Sequence, residues 1–293
     1  MSKPEDLKEV HFDNPRLATV GVEALTLDEL REGAAPGALA GPQRVDFFHV
    51  LLMQQGECLH MVDFVQHPLE AGMVLFVQPG QVQQWLLPKD VQGQLILIAN
   101  TALMPSAQGS DMRLLSLPLW SATARPAPGV FAMACTDFRR IKTDIGRFRG
   151  SDLEVAIIQH QLLSMLLRLA PEMQSSRMAR GSGRESEVYA LFVKELEARY
   201  AGRESVIAYA NRLGFSESTV SRACVAMTGW TAKRLIDERV ALEAKRLLVH
   251  SEATVAQIGH WLGFTEATNF VKFFRRTVGT TPLDFRAAMA ARS

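Results

Sequence analysis

Cysteine is scarce in this chain, and long apolar runs are lacking. Its three cysteines, Cys58, Cys135 and Cys224, are scattered, and none belongs to a Cys-x-x-Cys pair. This usage excludes a disulfide framework and gives no zinc site. No apolar run approaches the roughly 18–20 residues that span a bilayer, and residues 1–9 lack the apolar core of a secretory signal. We therefore expect a cytoplasmic protein without a membrane partner.

Motifs that carry catalysis are also missing. The sequence contains no Ser/His/Asp or Cys/His arrangement, no P-loop and no dinucleotide-binding fingerprint. We therefore expect that the protein is not an enzyme and that it needs no cofactor.

A large excess of one charge is absent, since the net charge at pH 7 is only +1. The charge is nevertheless unevenly placed. Residues 184–293 contain 16 Lys and Arg against 12 Asp and Glu, a net charge of +4, and the remainder contains 16 against 19, a net charge of −3. This modest asymmetry favours anion binding by the C-terminal part.

An internal repeat is the most informative feature that is present. The stretch from Ser205 to Glu217 aligns with the stretch from Thr254 to Glu266 at a constant offset of 49 residues, and both contain Leu-Gly-Phe. About a dozen residues of helical pattern follow each copy and end at a glycine. A repeated helix–turn–helix with glycine in the turn predicts a doubled helix-turn-helix, and a plain helical bundle with a fortuitous repeat is the alternative.

In such a unit the second helix enters the major groove of DNA, and its exposed first turns meet the bases. Ser216 and Thr265 are predicted to cap the two reading helices. A joining helix over Ala232–Leu248 would hold them about one DNA turn apart. The predicted base-reading residues are Ser218, Ser221 and Arg222 in the first unit and Ala267, Thr268, Val271 and Lys272 in the second. The predicted phosphate contacts are Arg275, Arg276 and Arg286.

The N-terminal half reads differently. Residues 16–104 form short β-branched and aromatic runs broken by Gly and Pro turns, which predicts a small barrel or jelly roll. Helices are predicted over Thr136–Arg147 and Leu153–Leu169, the second ended by Pro171. The predicted fold is a multidomain α+β chain with a β-barrel, flanking helices and an all-α tandem helix-turn-helix. Its domains are 1–171 and 187–293, joined by a linker over 172–186.

The helical end also carries a family resemblance. Residues 187–286 resemble the DNA-binding domain of the AraC/XylS family of bacterial transcription regulators. The resemblance implies a sequence-specific activator that binds double-stranded DNA and contacts RNA polymerase. Cys224 stands where the family usually has Phe, and Val225-Ala226-Met227 replaces the usual basic residues after it, so we expect the first unit to bind phosphate less strongly. The shared motifs are Leu213-Gly214-Phe215-Ser216, Ser221-Arg222, Gly263-Phe264, Phe273-Phe274-Arg275 and Gly279-Thr280-Thr281-Pro282.

The strand-rich half resembles the cupin-like sensor domain of the same family, through the fragment Leu75–Trp85. Gln83 stands where similar domains often have His, and His60, His67 and Glu70 do not reproduce the ligand spacing of metal-binding cupins. We therefore predict no metal site. A barrel mouth that binds a small organic effector is expected instead, and the alternatives are a cupin-type enzyme and a regulator without an effector. Its expected lining is His49, His60, Gln83 and Trp85.

The Leu/Ile stripe of Leu153–Leu169 permits two interpretations. In the proteins that this chain resembles, the helices after the barrel pair with a second subunit. The stripe would then form a homodimer and double the DNA contacts. Alternatively, it simply covers the barrel.

Overall fold

A computed structural model describes residues 8–35, 39, 41–103, 120–173 and 183–291. The chain divides into two compact units, Lys8–Ser175 and Ser176–Ser293, which we call the barrel unit and the helical unit. Their boundary falls inside the predicted linker 172–186. Both ends of that linker are helical in the structure, and residues 174–182 lie outside the described part.

The barrel unit consists of two five-stranded sheets, which agrees with the small barrel or jelly roll predicted from the short runs between Gly and Pro turns. The orders are β1-β3-β8-β5-β6 and β10-β7-β4-β9-β2, antiparallel except for the parallel pair β1 and β3. The strands are β1 (Lys8–Val10), β2 (Val22–Thr26), β3 (Gln43–Val45), β4 (Phe48–Gln55), β5 (Glu57–Val62), β6 (Val65–Glu70), β7 (Val74–Val77), β8 (Val82–Leu86), β9 (Gln92–Ile98) and β10 (Thr123–Ala124).

Strand β4 shows how the barrel unit builds two apolar layers. Successive side chains of a strand point to opposite faces, and every residue from His49 to Met53 is buried. Leu51 and Met53 belong to the cluster that fills the space between the sheets, whereas Val50 and Leu52 belong to the cluster beneath the helices. A strand that is buried on both faces is therefore uniformly apolar, apart from His49.

Helices of the barrel unit cover one sheet. α1 (Leu27–Gly33) is short, and α2 (Pro128–Arg147) packs against α3 (Asp152–Met173). The sequence predicts that Pro171 ends α3, and this prediction is wrong, because the helix continues to the fully buried Met173. A proline in the last turn removes one backbone hydrogen bond, and the burial of Leu169, Ala170 and Met173 holds the turn in place.

The apolar side chains of α3 mostly serve this covering role. Ile158, Leu162 and Leu166 are fully buried in the cluster beneath the helices. By length and composition alone α3 could cross a membrane, a test that buried core helices also pass. Leu153 and Ile157, at its start, remain 72% and 44% exposed.

The helical unit contains the predicted repeat. The 3₁₀ turn Tyr200–Gly202 precedes its first helix-turn-helix, and α7 joins the two copies over 19 residues, about 28 Å at ~1.5 Å per residue. The helices are α4 (Gly183–Arg199), α5 (Val206–Leu213), α6 (Glu217–Thr228), α7 (Ala232–His250), α8 (Val255–Trp261), α9 (Ala267–Val278) and α10 (Pro282–Ala290).

Side-chain caps begin most of these helices. Ser205, Ser216 and Thr231 each accept a hydrogen bond from a backbone N–H in the first turn of the helix that follows. The predicted cap Thr265 is wrong by one residue: Glu266 is the N-cap of α9, and it makes no side-chain cap bond. α6 and α9 therefore start differently despite their matched sequences.

Candidate nucleic-acid interface and barrel interior

The first helix-turn-helix is formed by α5 and α6. Gly214 ends α5 with φ +72°, the left-handed conformation that glycine adopts without strain. On α6, Val220, Ala223 and Cys224 are all buried. Ser218 and Arg222 are exposed and Ser221 is half-buried, so the three predicted base-reading residues share the outer face.

The second helix-turn-helix is formed by α8 and α9. Phe270, Phe273 and Phe274 are buried, and the ring centres of Phe264 and Phe270 are 5.2 Å apart. The outer face again carries the predicted residues: Ala267, Thr268 and Lys272 are exposed and Val271 is half-buried. Asn269, which we did not assign to the reading face, is also exposed there.

Cations flank the second unit. Arg275 and Arg276 are exposed, and Arg276 lies 3.6 Å from a carboxylate oxygen of Asp237. Arg286 differs from the prediction. Its guanidinium donates to the carbonyl oxygens of Leu248 (2.8 Å), Ala253 (2.6 Å) and Ser251 (3.4 Å). These hydrogen bonds fix Arg286 against the C-terminal end of α7. A guanidinium held in this way is occupied inside the fold, and we drop Arg286 from the phosphate-contacting set.

A partly buried ionic cluster fixes the joining helix. Arg239 donates to both carboxylate oxygens of Glu197 at 2.9 and 2.8 Å, and its guanidinium lies 3.8 Å from the ring centre of Tyr200. Burial disfavours the charged guanidinium, but Glu197 and Glu243 outweigh that effect and raise the pKa of Arg239. The cluster ties α7 to α4, and hence to the start of the helical unit.

The structure brings the four predicted pocket residues together, but in the interior between the sheets and not at a mouth. His49, His60, Gln83 and Trp85 are all at least 95% buried. His60 Nε2 donates to Gln83 Oε1 at 3.1 Å, and the His60 ring meets Trp85 edge-on at 4.7 Å. Sequence reasoning missed Gln43, which is buried beside Gln83 in the register of β3 and β8. Gln43 lies two residues before the inward Val45 on the same strand, and this spacing, which places both side chains on one face, was the available signal.

His49 is the most unusual of these residues. Its ring stacks on Phe47 at 4.8 Å and lies 6.0 Å from Trp85, and neither of its ring nitrogens has a hydrogen-bond partner among the described residues. Burial, with a smaller effect of His60, lowers the pKa of His49 to about 3. Burial also lowers the pKa of His60 to about 4, although its bond to Gln83 acts in the opposite direction. Both imidazoles are therefore neutral at pH 7.

A protein metal site needs at least three ligating side chains close together. Within the described ranges, no three or more His, Cys, Asp or Glu side chains come close enough together to hold a metal ion. Gln83 occupies one of the interior positions beside His60, and its amide is already hydrogen-bonded. The interior is therefore a neutral polar patch surrounded by aromatic rings.

Comparison with known proteins matches both units. A family model described as a helix-turn-helix domain matches residues 209–288, and a model described as an AraC-like ligand binding domain matches residues 29–86. The chain is 25% identical over 286 residues to the HTH-type transcriptional activator RhaS of Pectobacterium carotovorum subsp. carotovorum strain PC1, and the match covers 94% of each chain.

Two further proteins are similar either over a shorter part of the chain or at a lower sequence identity. RhaS of Escherichia coli O157:H7 strain EC4115 is 32% identical over 96 residues, which cover 33% of this chain and 34% of that protein. A solved structure of ToxT bound to an unsaturated fatty acid, from Vibrio cholerae strain SCE256, is 11% identical. That likeness has a TM-score of 0.40 and covers 91% of this chain and 93% of that one.

Proposed function

The chain belongs to the AraC/XylS family of transcription regulators, and from this membership we propose that it activates transcription, acting in the bacterial cytoplasm on nucleoid DNA. It is a DNA-binding regulator with an N-terminal ligand-binding domain and a C-terminal helix-turn-helix domain. Activation is proposed because the relatives matched over most of the chain are activators, and RNA polymerase is the partner that activation requires.

Both reading helices are proposed to enter successive major grooves on one face of double-stranded DNA. The observation that carries this proposal is the shared polarity of α6 and α9: each buries an apolar face and presents small polar or cationic side chains outward. Arg222 is proposed to bind a base edge, because its guanidinium is exposed on the second turn of α6 and can donate two bonds to guanine. The other proposed base-reading residues are Ser218, Ser221, Ala267, Thr268, Val271 and Lys272.

The test begins with a binding site obtained by in vitro selection from random DNA with the full chain. Arg222→Ala should weaken binding to that site by about 1–3 kcal/mol and relax the preference at one base pair. Arg212→Ala is a matched control, because Arg212 lies on α5 and pairs with Glu204 at 2.7 Å. An equal loss on all DNA sequences would make Arg222 a phosphate contact, and failure to select any sequence would refute the proposal.

The barrel interior is proposed to bind a small organic effector. Support comes from His49, whose buried ring nitrogens have no hydrogen-bond partner among the described residues, since such groups cost free energy until a partner meets them. Because both imidazoles are neutral, the site suits an uncharged molecule with hydrogen-bonding groups. Candidate molecules can be screened by the increase in melting temperature of the full chain. His49→Phe should abolish the increase for a true effector while leaving binding to the selected DNA site intact.

A homodimer through α3 is proposed as the form that binds repeated half-sites. Only Leu153 and Ile157 of the predicted stripe are left exposed enough to meet a second copy. Leu153→Asp combined with Ile157→Asp should convert a dimer to a monomer in sedimentation velocity. A wild-type chain that sediments as a monomer at micromolar concentration would refute this part.

A further inference from the structure

One acidic residue at the start of the helical unit lies beside the proposed base-reading arginine. Glu185 Oε1 is 3.9 Å from Arg222 Nε. The side chain of Arg222 is 69% exposed, as a DNA-reading group must be, whereas that of Glu185 is 26% exposed. The carboxylate is therefore the more buried partner of this pair.

The position of Glu185 is set by the packing of α4 against α6. Val188, Tyr189 and Phe192 of α4 are buried, as are Val220, Ala223 and Cys224 of α6, and the two helices are in contact. Phe192 also meets the ring of Tyr209 at 5.7 Å, which anchors α4 on α5. Glu185 lies in the first turn of α4, one turn before this apolar contact, and so its carboxylate is held at the edge of the reading face.

We propose that Glu185 competes with DNA for Arg222, so that an intramolecular carboxylate occupies the reading arginine until a base edge displaces it. The inference rests on the proposed role of Arg222. The carboxylate and the DNA both attract the guanidinium, and binding to DNA must break the pair with Glu185. Negative charge at this position also opposes the approach of phosphates. Glu185 therefore lowers the affinity for DNA and makes it depend on the placement of the first turn of α4.

The experiment measures the affinity of the full chain for its selected DNA site at one fixed salt concentration. Glu185→Gln should bind roughly 1.5- to fivefold more tightly, the range expected for release of an exposed ion pair. Glu238→Gln is the matched control. It removes one negative charge from the same unit, where Glu238 pairs with Arg234 at 3.7 Å, and so reports the general effect of charge.

A double-mutant cycle identifies the partner. In an Arg222→Ala background, Glu185→Gln should improve binding no more than Glu238→Gln does, because the competition no longer exists. Equal effects of the two glutamine variants in the wild-type background would overturn the inference, and so would weaker binding by Glu185→Gln. If Arg222→Ala binds DNA as well as the wild type, the reading role of Arg222 fails and the inference falls with it. If Arg222→Ala binds weakly and Glu185→Gln has no special effect, only the inference falls.

Discussion

Gly263 faces the carbonyl oxygen of Ala201 so closely that a β-carbon on Gly263 would lie 2.4 Å from that oxygen. Gly263 also has φ +76°. Its counterpart in the first copy of the repeat, Gly214, has nearly the same φ of +72°, but a β-carbon there would meet nothing within 4 Å. Two glycines that align in sequence therefore meet different demands.

Gly263→Ala should strongly destabilise the helical unit. The expected cost is roughly 2–5 kcal/mol, from the left-handed backbone and from displacement of the 200–203 backbone. Gly214→Ala should cost only about 1–2 kcal/mol, since only the backbone conformation opposes it. Hydrogen exchange of α8 and α9 measured by mass spectrometry checks both variants. Equal protection in the two variants would contradict the close approach to Ala201.

Arg286→Ala should unfold the helical unit more easily and leave the salt dependence of DNA binding almost unchanged. Its guanidinium donates to carbonyl oxygens at the end of α7, and hydrogen bonds from a charged group contribute about 1.5–3 kcal/mol each. The two short bonds together predict a loss of about 3–6 kcal/mol in urea unfolding. Arg286→Lys keeps the charge but cannot reach all the carbonyl groups. If Arg286→Lys restores both stability and affinity, a phosphate contact is the better account.

Arg275→Ala should weaken binding to all DNA sequences alike. An exposed arginine that contacts phosphate displaces a counterion, so the slope of log affinity against log salt should become shallower by about 0.9. Titrations of selected and random DNA between about 50 and 200 mM salt give this slope. Arg199→Ala is the control, because Arg199 is equally cationic but pairs with Glu195 on α4. A change in sequence preference would assign Arg275 to base reading instead.

The barrel unit should lose stability as the pH falls from about 6.5 towards 4. The pKa values of His49 and His60 in the fold are about 3 and about 4, below the ordinary value of 6.5. Between pH 4 and pH 6.5 these histidines are mostly protonated in the unfolded chain and mostly neutral in the folded chain. The unfolded chain therefore binds more protons, and acid favours unfolding. Each histidine contributes at most about 1.4 kcal/mol per pH unit. Urea unfolding at pH 5, 6, 7 and 8 measures the slope.

Substitution isolates the source of that slope. The double variant His49→Gln, His60→Gln should flatten the dependence on pH in this range. His11 provides the opposite control, because its hydrogen bond to Asp46 raises its pKa and so stabilises the fold at lower pH. His11→Asn should therefore make the loss on acidification steeper. A slope that is unchanged in the double variant would show that other groups govern the acid response.

Local patterns in the sequence predict much of this molecule. The repeat, the cap Ser216 and the joining helix are confirmed, because helix periodicity and capping act over a few residues. The roles of Arg286 and Gly263 could not be predicted in this way. Each role depends on a contact with a backbone carbonyl oxygen that is distant in the sequence. Local spacing patterns do not predict such contacts.

The polar residues of the barrel unit were likewise predictable only in part. The sequence places His49 and Gln83 on strands, and the structure brings them together with His60 and Trp85. Their location in the interior, away from a mouth, depends on how β8 pairs with β3 and β5, which alternation alone does not determine.

The two copies of the helix-turn-helix are not interchangeable parts. Arg203 lies 3.7 Å from the ring centre of Phe264, and Ala201 lies against Gly263, so residues that precede the first copy form part of the second. A synthetic protein assembled from α8 and α9 alone would lack the contacts of Ala201 and Arg203 and would expose Phe264. Under the proposed function, an exchange of DNA specificity should therefore transplant the outer faces of α6 and α9 and leave both helix-turn-helix units whole.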